Sequence, residues 1–429
     1  MNFSHLKSSL ERLLSTVTPS TGSILDRALS GADLTIEEAT ALFDADGSDL
    51  LALIAAADSL RARSVGDVVS YVVNRNINFT NVCVKACGFC AFSRGHLAEE
   101  GYFLPVEEVI RRAREAYDLG ASEVCVQAGL APGMDGWHYV KLCGALKEAL
   151  PALHIHGFSP EEVLYGATLT GAGVRDYLAA LKEAGVGSLP GTSAEILVDE
   201  IRERISPGRI STAQWINLVQ TAHEVGIPTT STIMYGHIES AHHKAVHLSI
   251  LRDIQKRTGK ITEFVPLSFV YDEAPMFHRK RIAGLRQGAS GAEVMKMYAV
   301  ARLMLNNWIP NLQVSWVKEG PKFSQIALLA GANDFGGTLI NESISTAAGA
   351  GYGQLMRPAQ FRALIREMGR RPAERSTTYE SIRVFDTEDQ STDPLDAVDD
   401  PADRFGSYRE LVRLKDYRFR DFYRTQKGP

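Results

Sequence analysis

An α/β fold in which eight strand–helix units close into a (β/α)8 barrel is what this sequence predicts, and three features predict it. Between residues 71 and 375, short apolar or β-branched runs alternate with amphipathic stretches, the pattern of repeated βα units around a parallel sheet. Residues 1–70 come before that alternation with apolar positions every three to four residues, as in LDRALSGADLTIEEATALF, and read as a helical lead-in. Residues 376–429 follow it with a change of composition: acids and prolines accumulate in FDTEDQSTDPLDAVDDPADRF, and the balance then turns to RELVRLKDYRFRDFYR. This C-terminal extension is expected to be a solvated acidic linker ending in a short helix. A doubly wound open sheet is the rival architecture.

The expected strands, in order, are YVVNRNINFT, EVCVQAG, HIHGFS, GSLPGTS, PTTSTIMYG, EFVPLSF, LQVSWV and ANDFGGTL. Each is followed by helical periodicity or a helix-start signal. SPEE at 159–162 and TSAE at 192–195 both have the spacing of a capping box. Eight such units in 429 residues with 45% hydrophobic content suit a barrel of ordinary size.

A formal charge of −5 offers no general attraction to nucleic acid or anionic membrane, and neither is expected as a partner. No run approaches 18 uncharged apolar residues, so no membrane span is expected. The first residues, MNFSHLKSSLERLLSTV, lack the apolar core of a secretion signal, and the expected location is the cytoplasm. Five cysteines are too few and too uneven for a disulfide framework, and three of them fall within eight residues, which points to metal in a reducing compartment.

Those three, Cys83, Cys87 and Cys90, are spaced Cys-x-x-x-Cys-x-x-Cys directly after the first expected strand. Active sites of such barrels gather at the C-terminal ends of the strands. Thiolates are the usual ligands of iron–sulfur clusters, and a cubane of four irons needs four ligands where this loop supplies three. Cys125 lies within the second strand and Cys143 within an amphipathic stretch, so neither is expected to close the set. The open iron can be chelated by S-adenosylmethionine (SAM), whose C–S bond then breaks on electron transfer to release a 5′-deoxyadenosyl radical. The alternative is a structural zinc site with His96 as fourth ligand.

The triplet, with Phe89 as the aromatic before its last cysteine, resembles the signature of the radical SAM superfamily. The runs NRNINFTNVCVKACGFCAF, EVCVQAGLAP, HIHGFSPEEV, GSLPGTSAEIL, GIPTTSTIMYGHIE, FVPLSFVYDEAP and GANDFGGTLINESIS resemble, in that order, the CofH family over about residues 50–375. The resemblance implies one 4Fe–4S cluster on the three cysteines, SAM as radical source, and L-tyrosine and 5-amino-6-(D-ribitylamino)uracil as substrates. Hydrogen abstraction from tyrosine would lead to Cα–Cβ cleavage, and the 4-hydroxybenzyl group would add to C5 of the uracil, making the precursor of a deazaflavin. It implies also a low-potential electron donor and a separate ring-closing radical SAM partner of the CofG type, since only one cysteine triplet is present.

For the site, the resemblance and the strand-end positions together nominate Phe89, Gln127, Gly129, Ser159, Glu195 and Arg202 for SAM. Ala128 stands where a second glycine is expected, and its methyl is expected to hinder a close backbone approach. Ser159 and Glu195 have the rival reading of helix caps, and Arg202 that of a solvated helix face. His156 shares a strand face with His154 and lies nearer the mouth, and His156 and Asp334 are nominated for substrate. Tyr235 and His237, at the end of the fifth strand, are nominated for proton relay. Two other functions compete: a sister radical SAM enzyme of futalosine-route menaquinone synthesis, and, from another class, a non-catalytic iron–sulfur or zinc protein.

Overall fold

In a computed structural model the barrel is present and closed. Residues 4–423 are described, apart from 86, 281, 387 and 422. The strands are β1 (Val68–Val72), β2 (Asn74–Ile77), β3 (Glu123–Val126), β4 (His154–His156), β5 (Val186–Ser188), β6 (Thr229–Tyr235), β7 (Ile261–Ser268), β8 (Asp334–Gly337), β9 (Arg371–Arg375) and β10 (Ser381–Val384). Parallel pairing runs β2–β3–β4–β5, β6–β7 and β1–β8. Single parallel bridges complete the ring: Leu189 to Thr229, Phe264 to Leu312, Gln313 to Asp334, and Arg75 to Ile340. Residues 312–313 therefore occupy the seventh place, and β1 and β2 are successive halves of the first strand. All eight expected runs fall on this ring.

Register decides which side chains look inward. Arg75, in register with Val124, ion-pairs at 2.7 Å with Glu115 on the outer helix Val106–Asp118, so that row faces outward. The alternate row, Asn76, Cys125, His156 and Ser188, therefore faces the lumen, as do Asn74, Glu123 and His154 one step below. Leu189 then faces outward, and so does its partner Thr229, whose hydroxyl meets His223 of the helix Thr212–Glu224 at 3.0 Å. Every second residue from Thr229, namely Ser231, Ile233 and Tyr235, points away from the lumen, and Thr230, Thr232 and Met234 point into it.

The lower barrel is filled by a polar plug brought in by β9, which pairs in parallel with β1 from Val68–Arg371 to Tyr71–Glu374. Arg375 Nε donates to Asp334 Oδ2 at 2.5 Å and Nη2 to Asp334 Oδ1 at 2.9 Å, while Nη2 also lies 3.4 Å from Glu263. Ser70 Oγ at 2.5 Å and Gly336 N at 2.7 Å complete the shell of Asp334. Tyr379 Oη donates to Glu263, and Arg375 lies 4.0 Å over the Tyr379 ring. Asp334 was expected at the mouth as a substrate residue. It is instead the first residue of β8, level with Ser70 and seven positions before the end of β2, and all its acceptor capacity is spent on the plug. The paired glycines after it also serve packing, because a Cβ on Gly337 would stand 2.1 Å from Asn74 Oδ1.

The lead-in forms helices Ser4–Ser15, Pro19–Leu29, Ile36–Phe43 and Gly47–Val65, the third opened by a Thr35–Glu38 capping box. The fourth buries Leu53, Ala57 and Leu60, and the lead-in meets the barrel helices Ala241–Thr258 and Gly291–Leu305.

The C-terminal extension differs from the expected solvated linker. Phe385, Leu395, Phe405, Tyr408, Leu411 and Phe419 are buried at intervals along it. The acids between them are used locally: Asp393 and Asp396 ion-pair with Arg362, and Asp400 caps the helix Pro401–Phe405. Bulk composition hid this spacing. Past the second short helix, Tyr408–Leu411, the chain pairs antiparallel with the segment that leaves the cysteine loop. Tyr102 bridges Arg418, Phe103 N donates to Tyr417 O at 2.8 Å, and Phe419 N donates to Gly101 O at 2.9 Å. Each buried side chain of this strap contributes about 1.5–3 kcal/mol. A chain ended after Asp393 is expected to melt about 5–10 °C lower in a thermal scan. It should also exchange amide hydrogens faster at 101–103, and an unchanged pattern there would contradict the clamp.

Candidate active site

The cysteine loop leaves the C-terminal end of β2 and is tied down at both shoulders. Val82 bridges Arg94, through Arg94 N to Asn81 O at 2.8 Å and Cys83 N to Arg94 O at 3.0 Å. Val84 N donates to Leu130 O at 2.9 Å, which joins the loop to the segment after β3. Its far side docks through Gly88 N to Ile205 O at 2.8 Å and Met276 N to Gly88 O at 2.7 Å. A Cβ at Gly88 would meet Met276 Cβ at 3.0 Å and Ile205 O at 3.1 Å, so glycine allows that contact. Cys87 is buried, and Cys83 and Cys90 are half-buried.

Burial raises the pKa of Cys83 and pushes that of Cys87 up to about 12, so both free thiols hold their protons until a metal displaces them. The donor set fits a cubane. Three thiols share one loop, and the other two cysteines lie elsewhere: Cys125 faces the lumen from β3, and Cys143 is buried in the helix His138–Ala149. Among the described residues no three His, Cys, Asp or Glu side chains converge on a single-ion site, and the ring of His96 packs 5.2 Å from that of Tyr423.

Arg209 is the hub beside this loop. It is nearly enclosed, with Nη1 3.4 Å from Cys87 Sγ and 3.1 Å from Glu195 Oε1, and Nη2 2.6 Å from Ser193 Oγ. Nε lies 3.4 Å from Glu161, whose other oxygen meets Lys85 Nζ at 3.2 Å, and the guanidinium lies 6.0 Å over Phe89. Burial alone would lower the pKa of Arg209, but Glu195, Cys87 and Glu161 raise it above its ordinary value. Ser193 and Glu195 hold φ of 64° and 39°, strained values for residues with a Cβ. Nothing in the sequence singled out Arg209. It sits in a proline–glycine turn, SPGRI, and only the burial of Ile205 and Ile210 on either side hints that the turn folds inward.

The nominated residues separate into those that meet at this wall and those that do not. Phe89 and Glu195 lie beside Arg209, and Glu195 is an ion-pair partner rather than a cap, since the next helix begins at Asp199. Gln127 reaches Thr192 Oγ1 at 3.3 Å across the strand ends. Arg202 does not reach the mouth. Its Nε and both terminal nitrogens are held by the carbonyls of Ser193, Ala194, Ile196 and Ile210, and Nη1 also lies 3.5 Å from Glu195 Oε2, so its donors are engaged within the protein. Ser159 is the helix cap, with Oγ donating to Glu162 Oε2 at 2.5 Å, while Glu162 Oε1 accepts from Ala128 N at 2.8 Å.

His156 faces the lumen with Nδ1 2.7 Å from Ser188 Oγ, and burial lowers its pKa to about 4, so the ring is neutral. Tyr235 and His237 are withdrawn from proton relay by parity and by hydrogen bonding. Tyr235 is fully buried on the outer face of β6. His237 is equally buried, its Nδ1 accepting from Ile238 N at 2.8 Å and its Nε2 donating to Met234 O at 3.0 Å.

A close backbone approach within the protein lies at the residue after Ala128, Gly129. A Cβ on Gly129 would stand 2.3 Å from Val82 O, next to Cys83. Gly129→Ala is therefore expected to displace the loop, to destabilise the fold by about 1–3 kcal/mol and to leave the reconstituted protein with well under its full iron. Iron assay and thermal melting on one sample check both parts.

Comparison with known proteins agrees with this geometry. The chain matches the radical SAM superfamily over residues 77–248 and the CofH/MqnC C-terminal region over 258–387. It is 48% identical, over 84% of its length and 98% of the relative's, to the 5-amino-6-(D-ribitylamino)uracil–L-tyrosine 4-hydroxyphenyl transferase of Methanothermobacter thermautotrophicus. It is 46% identical to the FO synthase of Mycobacterium tuberculosis, over 82% of this chain but 41% of that longer protein. Among solved structures it resembles methylornithine synthase (TM-score 0.61, 19% identity, 82% of this chain and 97% of that one). It likewise resembles the FeFe-hydrogenase maturase HydG from Carboxydothermus hydrogenoformans (TM-score 0.64, 14% identity, 88% and 85%).

Proposed function

The chain belongs to the radical SAM superfamily and, within it, to the family of 5-amino-6-(D-ribitylamino)uracil–L-tyrosine 4-hydroxyphenyl transferases; from that premise we propose that it joins the side chain of L-tyrosine to C5 of 5-amino-6-(D-ribitylamino)uracil in deazaflavin synthesis. The observation that carries the reading is a loop of three free thiols at the mouth of a closed barrel. When bound, the cluster on Cys83, Cys87 and Cys90 supplies the electron that splits SAM into methionine and a deoxyadenosyl radical. Arg209 and Glu195 hold the wall beside Cys87, Phe89 and Gln127 line the approach, and Gly129 seats the loop against the barrel. The closed ring and its plugged floor leave the mouth as the way in and keep a reactive intermediate from water.

Breaking Cα–Cβ keeps the benzylic carbon on the ring, so the transferred group is the 4-hydroxybenzyl, one carbon larger than the hydroxyphenyl in the relatives' name. A CofG-type radical SAM activity would close the ring, as the other part of the longer FO synthase, of which this chain matches 41%, suggests. A low-potential donor would reduce the cluster. We place the protein in the cytoplasm; no helix of the described residues is long and apolar enough to cross a membrane.

The test is anaerobic incubation of the reconstituted protein with SAM, reductant, tyrosine and the diaminouracil, with products read by mass spectrometry. A hydroxybenzyl–uracil adduct together with 5′-deoxyadenosine is the expected result. Turnover of a futalosine-route substrate in place of tyrosine would overturn the substrate assignment.

A further inference from the structure

The upper lumen has a wall whose hydrogen-bonding groups the protein leaves unused. Asn76 of β2, Cys125 of β3, His156 of β4 and Ser188 of β5 are successive partners across the parallel strands, and all four face inward. Side-chain bonds confirm that face independently of the outward Arg75–Glu115 pair. Asn74 Nδ2 donates to Glu123 Oε1 at 2.8 Å, and Ser188 Oγ lies 2.8 Å from His154 Nε2 and 2.7 Å from His156 Nδ1. Asn76 and Cys125 are nevertheless only half-buried. Inside a closed ring that exposure is to the lumen, so open space lies against this wall. The wall stands above the plug, because Asn76 is further along the first strand than Ser70, which bonds Asp334.

Ser188 holds His156 by Nδ1, and its single hydroxyl hydrogen goes to one of the two histidines while its oxygen accepts from the other. Among the described residues Nε2 of His156 then has no hydrogen-bond partner, although the residue is only 8% exposed. Oδ1 of Asn76 has none either, nor has Oδ1 of Asn78, whose Nδ2 donates to Gln127 O at 2.8 Å. Buried polar groups are nearly always satisfied, so three bare ones on neighbouring strands point to a ligand that satisfies them. The wall is also uncharged: burial keeps the His156 ring neutral and raises the pKa of the Cys125 thiol, and Glu123, one step below, is engaged by Asn74. Tyrosine and SAM each bring an ammonium and a carboxylate, which a neutral wall does not balance, and the phenol of tyrosine would use one hydrogen bond. The uracil is uncharged and carries carbonyl, N–H and amino groups around one ring. A carboxamide matches its imide edge, offering an oxygen to the N–H and an N–H to the carbonyl. We propose that this wall binds the diaminouracil, with His156 Nε2 and the Asn76 carboxamide meeting polar groups of its ring and Ser188 positioning the imidazole. This deepens the function proposed above and rests on it.

Equilibrium dialysis of the diaminouracil tests it without turnover, on the anaerobic holoenzyme with SAM present and no reductant. The dissociation constants of L-tyrosine and SAM are measured in parallel. His156→Phe keeps a planar ring without nitrogens and should weaken the diaminouracil about 10-fold, the scale of a lost hydrogen bond that leaves a polar group bare. Asn76→Ala should do the same by itself, and it carries the test alone if the phenylalanine substitution does not fold. Tyrosine and SAM should bind both variants within about twofold of wild type. Ser188→Ala, which frees the imidazole, should weaken the diaminouracil by about threefold, and Ser188→Thr, which keeps the hydroxyl, should restore it. A merely structural serine would move all three ligands together. Diaminouracil binding equal to wild type in both His156→Phe and Asn76→Ala would overturn the inference. So would a loss confined to tyrosine, which would give the wall to the phenol. Wild type that cleaves SAM but binds no diaminouracil would instead remove the function on which the inference rests.

Discussion

Cys87→Ala is expected to leave a folded protein that neither keeps its cluster nor cleaves SAM. The substitution removes one sulfur from a buried position whose neighbours are fixed by main-chain bonds at Gly88 and Cys90, so the protein without cluster should melt within about 2 °C of wild type. The consequence for the metal is much larger. Two thiols remain for a centre that needs three, and losing even an outer partner of a ligand lowers metal affinity about 10–100-fold. Iron per chain should fall close to background and 5′-deoxyadenosine formation by more than about a hundredfold. Cys125→Ala is the control. It removes a lumen thiol that the account does not use for metal and should keep the full iron content. A Cys87→Ala protein that held four irons would contradict the ligand assignment.

Among single substitutions Arg209→Met has the second largest expected effect, and it acts on the protein before any cofactor binds. The guanidinium neutralises Glu195 and Glu161 where both carboxylates are buried. Taking one partner from a buried pair costs about 3–5 kcal/mol, because the partner left behind has lost its hydration and gained nothing. In a chain of this size that corresponds to a fall in Tm of about 3–5 °C. Arg209→Lys keeps the charge but cannot span Glu195, Ser193 and Glu161 at once, and should fall between the two. Thermal melting of the cluster-free proteins checks the order, and equal melting of all three would show that the hub carries no stability.

The architecture was legible because the signals that define it are local. Each of the eight apolar runs stands between helix-start chemistry and turn residues, and each lies on the ring. The cysteine triplet was legible for the same reason: its three ligands come from one loop. What could not be read was which way a side chain points once strands pair. Tyr235 and His237 end a strand at the mouth, but register turns the phenol outward and the turn consumes both imidazole nitrogens. Asp334 precedes two glycines as a ligand residue might, yet its partner Arg375 arrives from 41 residues away on a strand outside the expected ring. Arg202 and Arg209 are seven residues apart and alike in the sequence. Only the packing decides that one is held by carbonyls and the other meets the cysteine loop. In the C-terminal extension, composition outweighed spacing: apolar residues three to ten positions apart are enough to pin an acidic segment to the barrel.

The measurement that tests the central claim most directly uses tyrosine carrying carbon-13 at Cβ, turned over anaerobically with SAM and the diaminouracil, with the label located in the products. Label in the benzylic carbon of the uracil adduct is the predicted result, since it requires Cα–Cβ cleavage and transfer of the whole hydroxybenzyl group. Label that stays with the amino-acid fragment, or an adduct that forms without SAM cleavage, would contradict the account.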